Sequence, residues 1–226
     1  MKDIYGYLTG CLILLSILSV LFYLRKDLRK DILWSGCFGM ITALTAAWWV
    51  PTYWNPPTIL GLNGYFGFDL EDFLLMFAIG GISSVIYEYI FNRKLHKNIK
   101  KIHPHLTAIF IFFILYGGLQ LLFPDKVFYN SIVAFFAGIV LIMIQRHDLV
   151  FKILISGIFF GVLYFIMFKI LIFLFPYYIG KYYSFQNLSG LFMFKVPIEE
   201  VVLGFFMGAF WSALYEYRKG YELIKS

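Results

Sequence analysis

Charge is what this sequence is short of. Only 14% of its 226 residues are acidic or basic, whereas a soluble domain carries about 25%, so an ordinary water-facing surface cannot be built from it. Cysteine is nearly absent too. Cys11 and Cys37 fall at opposite ends of neighbouring apolar stretches, which argues against a disulfide and leaves no metal-ligand spacing. The first apolar run has only Lys2 and Asp3 before it, no small-residue cleavage site, and Arg25-Lys26 directly after it. A retained membrane anchor is therefore expected, not a cleaved signal peptide.

What is there is hydrocarbon. With 61% hydrophobic residues and 22% aromatics, the chain reads as an all-α, polytopic membrane protein. A spanning helix needs about 20 apolar residues, and seven such stretches cover roughly 5–24, 32–51, 70–91, 105–123, 127–145, 153–175 and 197–217. In a seven-span arrangement Arg25, Lys26, Arg29, Lys30, the basic run Arg93 to Lys101, Arg146, Lys152, Arg218, Lys219 and Lys225 share one side, against Lys2, Lys126, Lys181 and Lys195 on the other. The positive-inside rule then puts the N-terminus outside and the C-terminus in the cytoplasm of a multi-pass protein of the cell membrane. The net charge of +6 is topogenic on this reading, and nucleic acid is not an expected partner.

The chain repeats itself. A shift of 128 positions lays Leu70-Glu71-Asp72 under Ile198-Glu199-Glu200 and Tyr87-Glu88-Tyr89 under Tyr215-Glu216-Tyr217. A shift of 121 lays Arg25, Asp27, Leu28, Ile32, Leu33, Ser35 and Gly36 under Arg146, Asp148, Leu149, Ile153, Leu154, Ser156 and Gly157. Residues 1–92 and 126–226 are thus two three-helix repeats, and 93–125 is a basic loop with a linker helix. Three spans are an odd number, so the linker restores the orientation and the repeats run parallel, in a 3+1+3 arrangement about a pseudo-twofold axis along the membrane normal.

That axis sets Glu71-Asp72 and Glu199-Glu200 at one depth, facing one cavity near the outer ends of their spans. An ionisable pair in hydrocarbon is a functional-site hypothesis by default. Consecutive helical residues point about 100° apart, so each pair directs one carboxyl at the cavity and the other at a neighbouring helix. Facing carboxyls can set a proton donor beside a proton acceptor, as acid–base chemistry on an uncharged substrate requires, and aromatic faces can stabilise a transient cation. Helix capping is the competing reading, supported by Pro197 near the first turn. Matched pairs in two repeats favour chemistry. Glu88 and Glu216, at the inner ends beside Arg93 and Arg218, are expected to form solvated ion pairs, and Lys169 is the only lysine expected deep in a span.

The outer loop runs Trp48-Trp49-Val50-Pro51-Thr52-Tyr53-Trp54-Asn55-Pro56-Pro57-Thr58 and on to Gly64-Tyr65-Phe66-Gly67. Its aromatics suit either an interface belt or a lid over an apolar substrate. The inner loop 92–104 suits topogenic charge and anionic lipid, and its solvated basic surroundings disfavour a metal at His96, His103, His105 or His147.

At these residues the sequence resembles the membrane-integral, non-flavin lycopene cyclase domain, which carries a Pro-x-Glu-Glu/Asp motif in each three-span half and joins the halves, in its fused form, through an extra span. Pro197-Ile198-Glu199-Glu200, preceded by Asn187-Leu188-Ser189-Gly190, keeps the motif; in the first half Asp69-Leu70-Glu71-Asp72 has Asp69 where the proline stands. The resemblance implies redox-neutral cyclisation of the end group of a linear carotenoid drawn from the bilayer, without cofactor or metal. It also implies Glu71, Asp72, Glu199 and Glu200 as catalytic residues, with Trp48, Trp49, Trp54, Phe66 and Pro197 as substrate contacts. No Gly-x-Gly-x-x-Gly follows a strand, so the flavin-using cyclase type is not supported. The alternative is a small-solute or lipid transporter of the same 3+1+3 topology, although such transporters show a proline in the first helix of each half and 5–24 and 127–145 have none. An enzyme acting on another isoprenoid is the other alternative: Asp69-x-x-Asp72 is a weak diphosphate-type motif, and Glu199-Glu200 offers it no partner. A retinal protein would want a lysine midway along 198–217, and none is there.

Overall fold

The computed structural model describes residues 2–102 and 107–225. Its helices are α1 (Gly6–Leu24), α2 (Arg29–Thr42), α3 (Ala46–Trp49), α4 (Asn63–Phe66), α5 (Leu70–Ile90), α6 (Thr107–Leu122), α7 (Val127–Gln145), α8 (Val150–Leu174), α9 (Tyr178–Tyr182) and α10 (Ile198–Lys219). Among the described residues six stretches are long and apolar enough to cross a membrane: α1, the run Lys26–Trp49 through α2 and α3, α5, α7, the run His147–Leu174 through α8, and α10. The seventh expected span, 105–123, lies partly outside the described residues, and α6 is its described helix of 16 residues.

The fold is mostly helical, as expected, with two short two-stranded ladders beside the helices. Strands β1 (Arg93–Lys97) and β4 (Tyr221–Lys225) pair antiparallel, with Leu95 opposite Leu223 and His96 opposite Glu222. Part of the stretch expected as a solvated basic loop is thus tied to the chain's end. Strands β2 (Phe192–Met193) and β3 (Val196–Pro197) form a second, shorter ladder just before α10. His147 is exposed ahead of α8, and His103 and His105 lie outside the described residues.

The repeat is visible in the packing. Helix α2 lies along α5 as α8 lies along α10, and α5 meets α10 between the halves. A Cβ added at Gly36 would lie 2.8 Å from the Phe77 ring, and one at Gly157 would lie 2.8 Å from the Phe205 ring. Only glycine permits this approach, at positions 121 and 128 apart in the two halves.

The two halves differ at one place. Helix α8 runs unbroken for 25 residues, whereas α2 stops at Thr42 and tightens into a 3₁₀ turn, Ala43–Thr45, before α3. Thr42 and Thr45 each bond back to a carbonyl three residues earlier, Gly39 and Thr42, at 2.6 and 2.7 Å. Such back-bonding competes with the helical ladder. Small residues line the break, because Ala43 and Ala46 stand where α8 has Tyr164 and Met167.

The inner-end charges are not solvated as expected. Glu88 and Glu216 are both wholly buried, and Lys152 lies between them with Nζ 2.5 Å from Glu88 and 2.6 Å from Glu216. Lys152 also donates to the Ser84 carbonyl at 3.1 Å. The deep lysine is therefore Lys152; Lys169 reaches the Phe194 carbonyl from an exposed position. Arg93 and Arg218 do not supply the pairing because the carboxyls turn inward along α5 and α10, where a charge without a partner is far more costly than at the surface.

The repeated Arg-x-Asp has a structural task. Arg25 donates to the carbonyls of Glu88 and Arg93, both at 2.6 Å, and Arg146 donates to those of Glu216 and Tyr221 at 2.9 and 2.7 Å. Asp27 and Asp148 hold the two guanidiniums at 3.0 and 2.9 Å through Nε. Each arginine thus ties the end of the third helix of its repeat to the strand that follows it.

Candidate active site

Helix α5 begins at Asp69 because its side chain caps the first turn, and Asp72 answers by accepting the Asp69 N–H at 2.7 Å. Burial alone would raise the Asp69 carboxyl, but hydrogen bonds from Thr58, Leu70, Leu62 and Asn63 outweigh it and hold it below the usual carboxylate range. Asp69 thus performs the local task that falls to Pro197 before α10, where φ is −55°.

The four acids divide by position within each pair. Glu71 accepts the Ile59 N–H at 2.7 Å, and Glu199 accepts the Ser189 N–H at 2.6 Å. Both first acids anchor the loop that precedes their helix. The second acids, Asp72 and Glu200, line one cavity. Their loop-facing partners, Glu71 and Glu199, do not.

Hydroxyls hold the cavity carboxyls. Tyr7 donates to Asp72 Oδ1 at 2.6 Å and Tyr53 donates to Glu200 Oε1 at 2.8 Å. Tyr183 lines the same cavity as Glu200. The Tyr53 and Tyr183 backbones are joined as well, because Ser184 N–H donates to Tyr53 O and Asn55 N–H to Tyr182 O, both at 2.8 Å. The outer loop of the first repeat therefore delivers a hydroxyl to the acid of the second.

The cavity measures about 110 Å³ and is mostly apolar, with Thr42, Thr45, Ser131, Tyr116 and Tyr164 the other hydroxyl-bearing residues in its wall. It opens beside the break in α2, where Thr42, Ala43, Thr45 and Ala46 leave room. Its counterpart in the other half, between α1 and α8, measures only about 20 Å³, filled by Tyr164, Met167, Phe168 and Leu171. One chain thus holds one such cavity of useful size among its described residues, with one acid from each half.

Of the aromatic candidates, Trp49 and Trp54 line the cavity. Trp48 packs edge-on against Tyr116, ring centroids 5.0 Å apart, outside it. Phe66, the last residue of α4, is 59% exposed, and Pro197 is buried in β3. Sequence reasoning missed Tyr7, Tyr53 and Tyr183. They come from three separate elements of a chain with 17 tyrosines, so no spacing marks them.

The lycopene cyclase family model matches residues 5–90 and 125–218, so both repeats are covered and the linker between them is not. No curated protein and no solved structure matches the chain.

Proposed function

This chain belongs to the lycopene cyclase family, and on that premise we propose that it closes the end ring of a linear, lycopene-type carotenoid with Asp72 and Glu200 as its acid–base pair. Membership makes it a multi-pass membrane enzyme of carotenoid cyclisation. The observation that carries the finer reading is the meeting of one acid from each repeat in a single apolar, aromatic-walled cavity.

The chemistry is proton in, proton out. A carboxylic acid protonates the terminal double bond, the tertiary cation is attacked by the neighbouring double bond to close a six-membered ring, and a carboxylate removes a proton from an adjacent carbon. Atoms and charge balance without a redox partner.

Hydrogen bonding supports a division of roles. Asp72 Oδ2 accepts a backbone N–H, and an amide cannot turn round to accept. Glu200 is held by the Tyr53 phenol, which donates or accepts as required. Glu200 is accordingly the proton donor and Asp72 the acceptor. The rings of Tyr53, Trp49 and Trp54 present the π-density that stabilises the cation between the two transfers. Glu71 and Glu199 position the loops that carry these groups.

The 3+1+3 topology, with residues 1–92 and 126–226 as parallel repeats and the acid-bearing helix ends facing outward, belongs to the same reading. It is supported by the equivalent glycine contacts and arginine ties of the two halves. Expression in a bacterial host that accumulates lycopene, with pigment chromatography, tests the activity. Cyclic products are expected, and unchanged lycopene despite verified membrane expression refutes it.

A further inference from the structure

The acid cavity is too small for a carotenoid. An apolar cavity of about 150 Å³ holds one benzene, so the roughly 110 Å³ between Asp72 and Glu200 takes only the reacting part of an end group. The conjugated chain behind that end group must leave the cavity somewhere.

We propose that it leaves between α2 and α6, in a second apolar groove of about 150 Å³ that binds the polyene chain of the same substrate. This rests on the cyclase reading and names the subsite that reading requires. Three observations carry it. The groove adjoins the acid cavity, since Thr42 and Phe112 line both. It opens at the protein's apolar outer surface, where Ile41 and Phe110 are 50% and 61% exposed on its rim. Its floor includes Trp211, a buried indole whose N–H has no partner among the described residues.

That last feature fits a polyene. A buried N–H without an acceptor is costly, and the π-face of a conjugated chain is an acceptor that lipid acyl chains lack. The α2 break at Thr42 lies where the groove adjoins the cavity. In the other half α8 runs straight past the corresponding place, and Tyr164 and Phe168 fill it.

The test separates chain binding from chemistry. Ile41→Trp fills the rim from an exposed position. Purified enzyme in lipid vesicles is given lycopene and, separately, a short acyclic polyene with the same terminal group. Ile41→Trp is expected to lower kcat/KM for lycopene at least tenfold, mainly through KM, and to leave the short substrate within twofold of the unsubstituted enzyme. Ile41→Cys with Cys37→Ser, alkylated by a bulky maleimide after folding, should reproduce the loss on labelling. Equal losses on both substrates, or lycopene turnover unaffected by either blockade, overturn the groove while the cyclase reading stands. An unsubstituted enzyme that cyclises neither substrate removes both.

Discussion

Replacing Lys152 by methionine removes the cation from between Glu88 and Glu216, all three of which are wholly buried or nearly so. Asp31, also buried, lies close enough to interact with the three. The substitution therefore strands acidic groups inside the helix packing and leaves the Ser84 carbonyl without its donor. Breaking a buried pair from one side costs about 3–5 kcal/mol. At roughly 2–4 °C per kcal/mol for a chain of this size, the melting temperature should fall by roughly 6–20 °C. Thermal unfolding of the purified protein in detergent, followed by circular dichroism, measures it. Combining Lys152→Met with Glu88→Gln and Glu216→Gln removes the stranded charge and should recover at least half of the loss. A single variant that melts within about 3 °C of the parent, or a triple variant that melts no higher than the single, refutes the account of the cluster.

Other outcomes follow from the same contacts. Tyr53→Phe deletes one hydrogen bond to the Glu200 carboxylic acid, a neutral bond worth about 0.5–1.5 kcal/mol, so kcat should fall about 2- to 10-fold with melting nearly unchanged. Arg146→Ala should destabilise more than Arg25→Ala, because the Arg146 side chain is 2% exposed and that of Arg25 12%; paired melting curves decide. Asp69→Ala loses the α5 cap, at about 1 kcal/mol. Because the folded Asp69 carboxyl lies below its usual range, its contribution is present above the ordinary carboxylate pKa of about 3.9 and lost as pH falls through the lowered value. The gap between parent and variant should therefore close in strong acid, and a gap that widens there contradicts the assignment.

How much of this was written in the chain depends on the residue. The acid pairs were legible because a carboxyl in hydrocarbon is conspicuous and two matched copies are more so. The division of labour within each pair was not, because it depends on loops that fold back to place Ile59 and Ser189 over Glu71 and Glu199. The repeated Arg25-x-Asp27 and Arg146-x-Asp148 were visible as pattern, yet read as loop charge, since the carbonyls they bind lie 63 and 70 residues away. Lys152 was misread for a similar reason: a lysine just ahead of an apolar run looks the same from sequence whether it turns to water or to two buried glutamates. The acid cavity was hidden in a comparison between halves, Ala43 and Ala46 against Tyr164 and Met167, that acquires meaning only once α2 and α8 are seen to be equivalent walls.

The central claim is that the second acid of each pair does the chemistry and the first holds a loop. The direct measurement is pigment chromatography of lycopene-accumulating cells expressing the parent chain, Glu199→Gln or Glu200→Gln, each at verified membrane levels. The amide introduced by Glu199→Gln keeps an oxygen for the Ser189 N–H, so that variant should still give cyclic carotenoid. Glu200→Gln, deprived of its transferable proton, should lose 100-fold or more. Cyclisation that survives Glu200→Gln, or that vanishes with Glu199→Gln while Glu200→Gln retains it, would contradict the account.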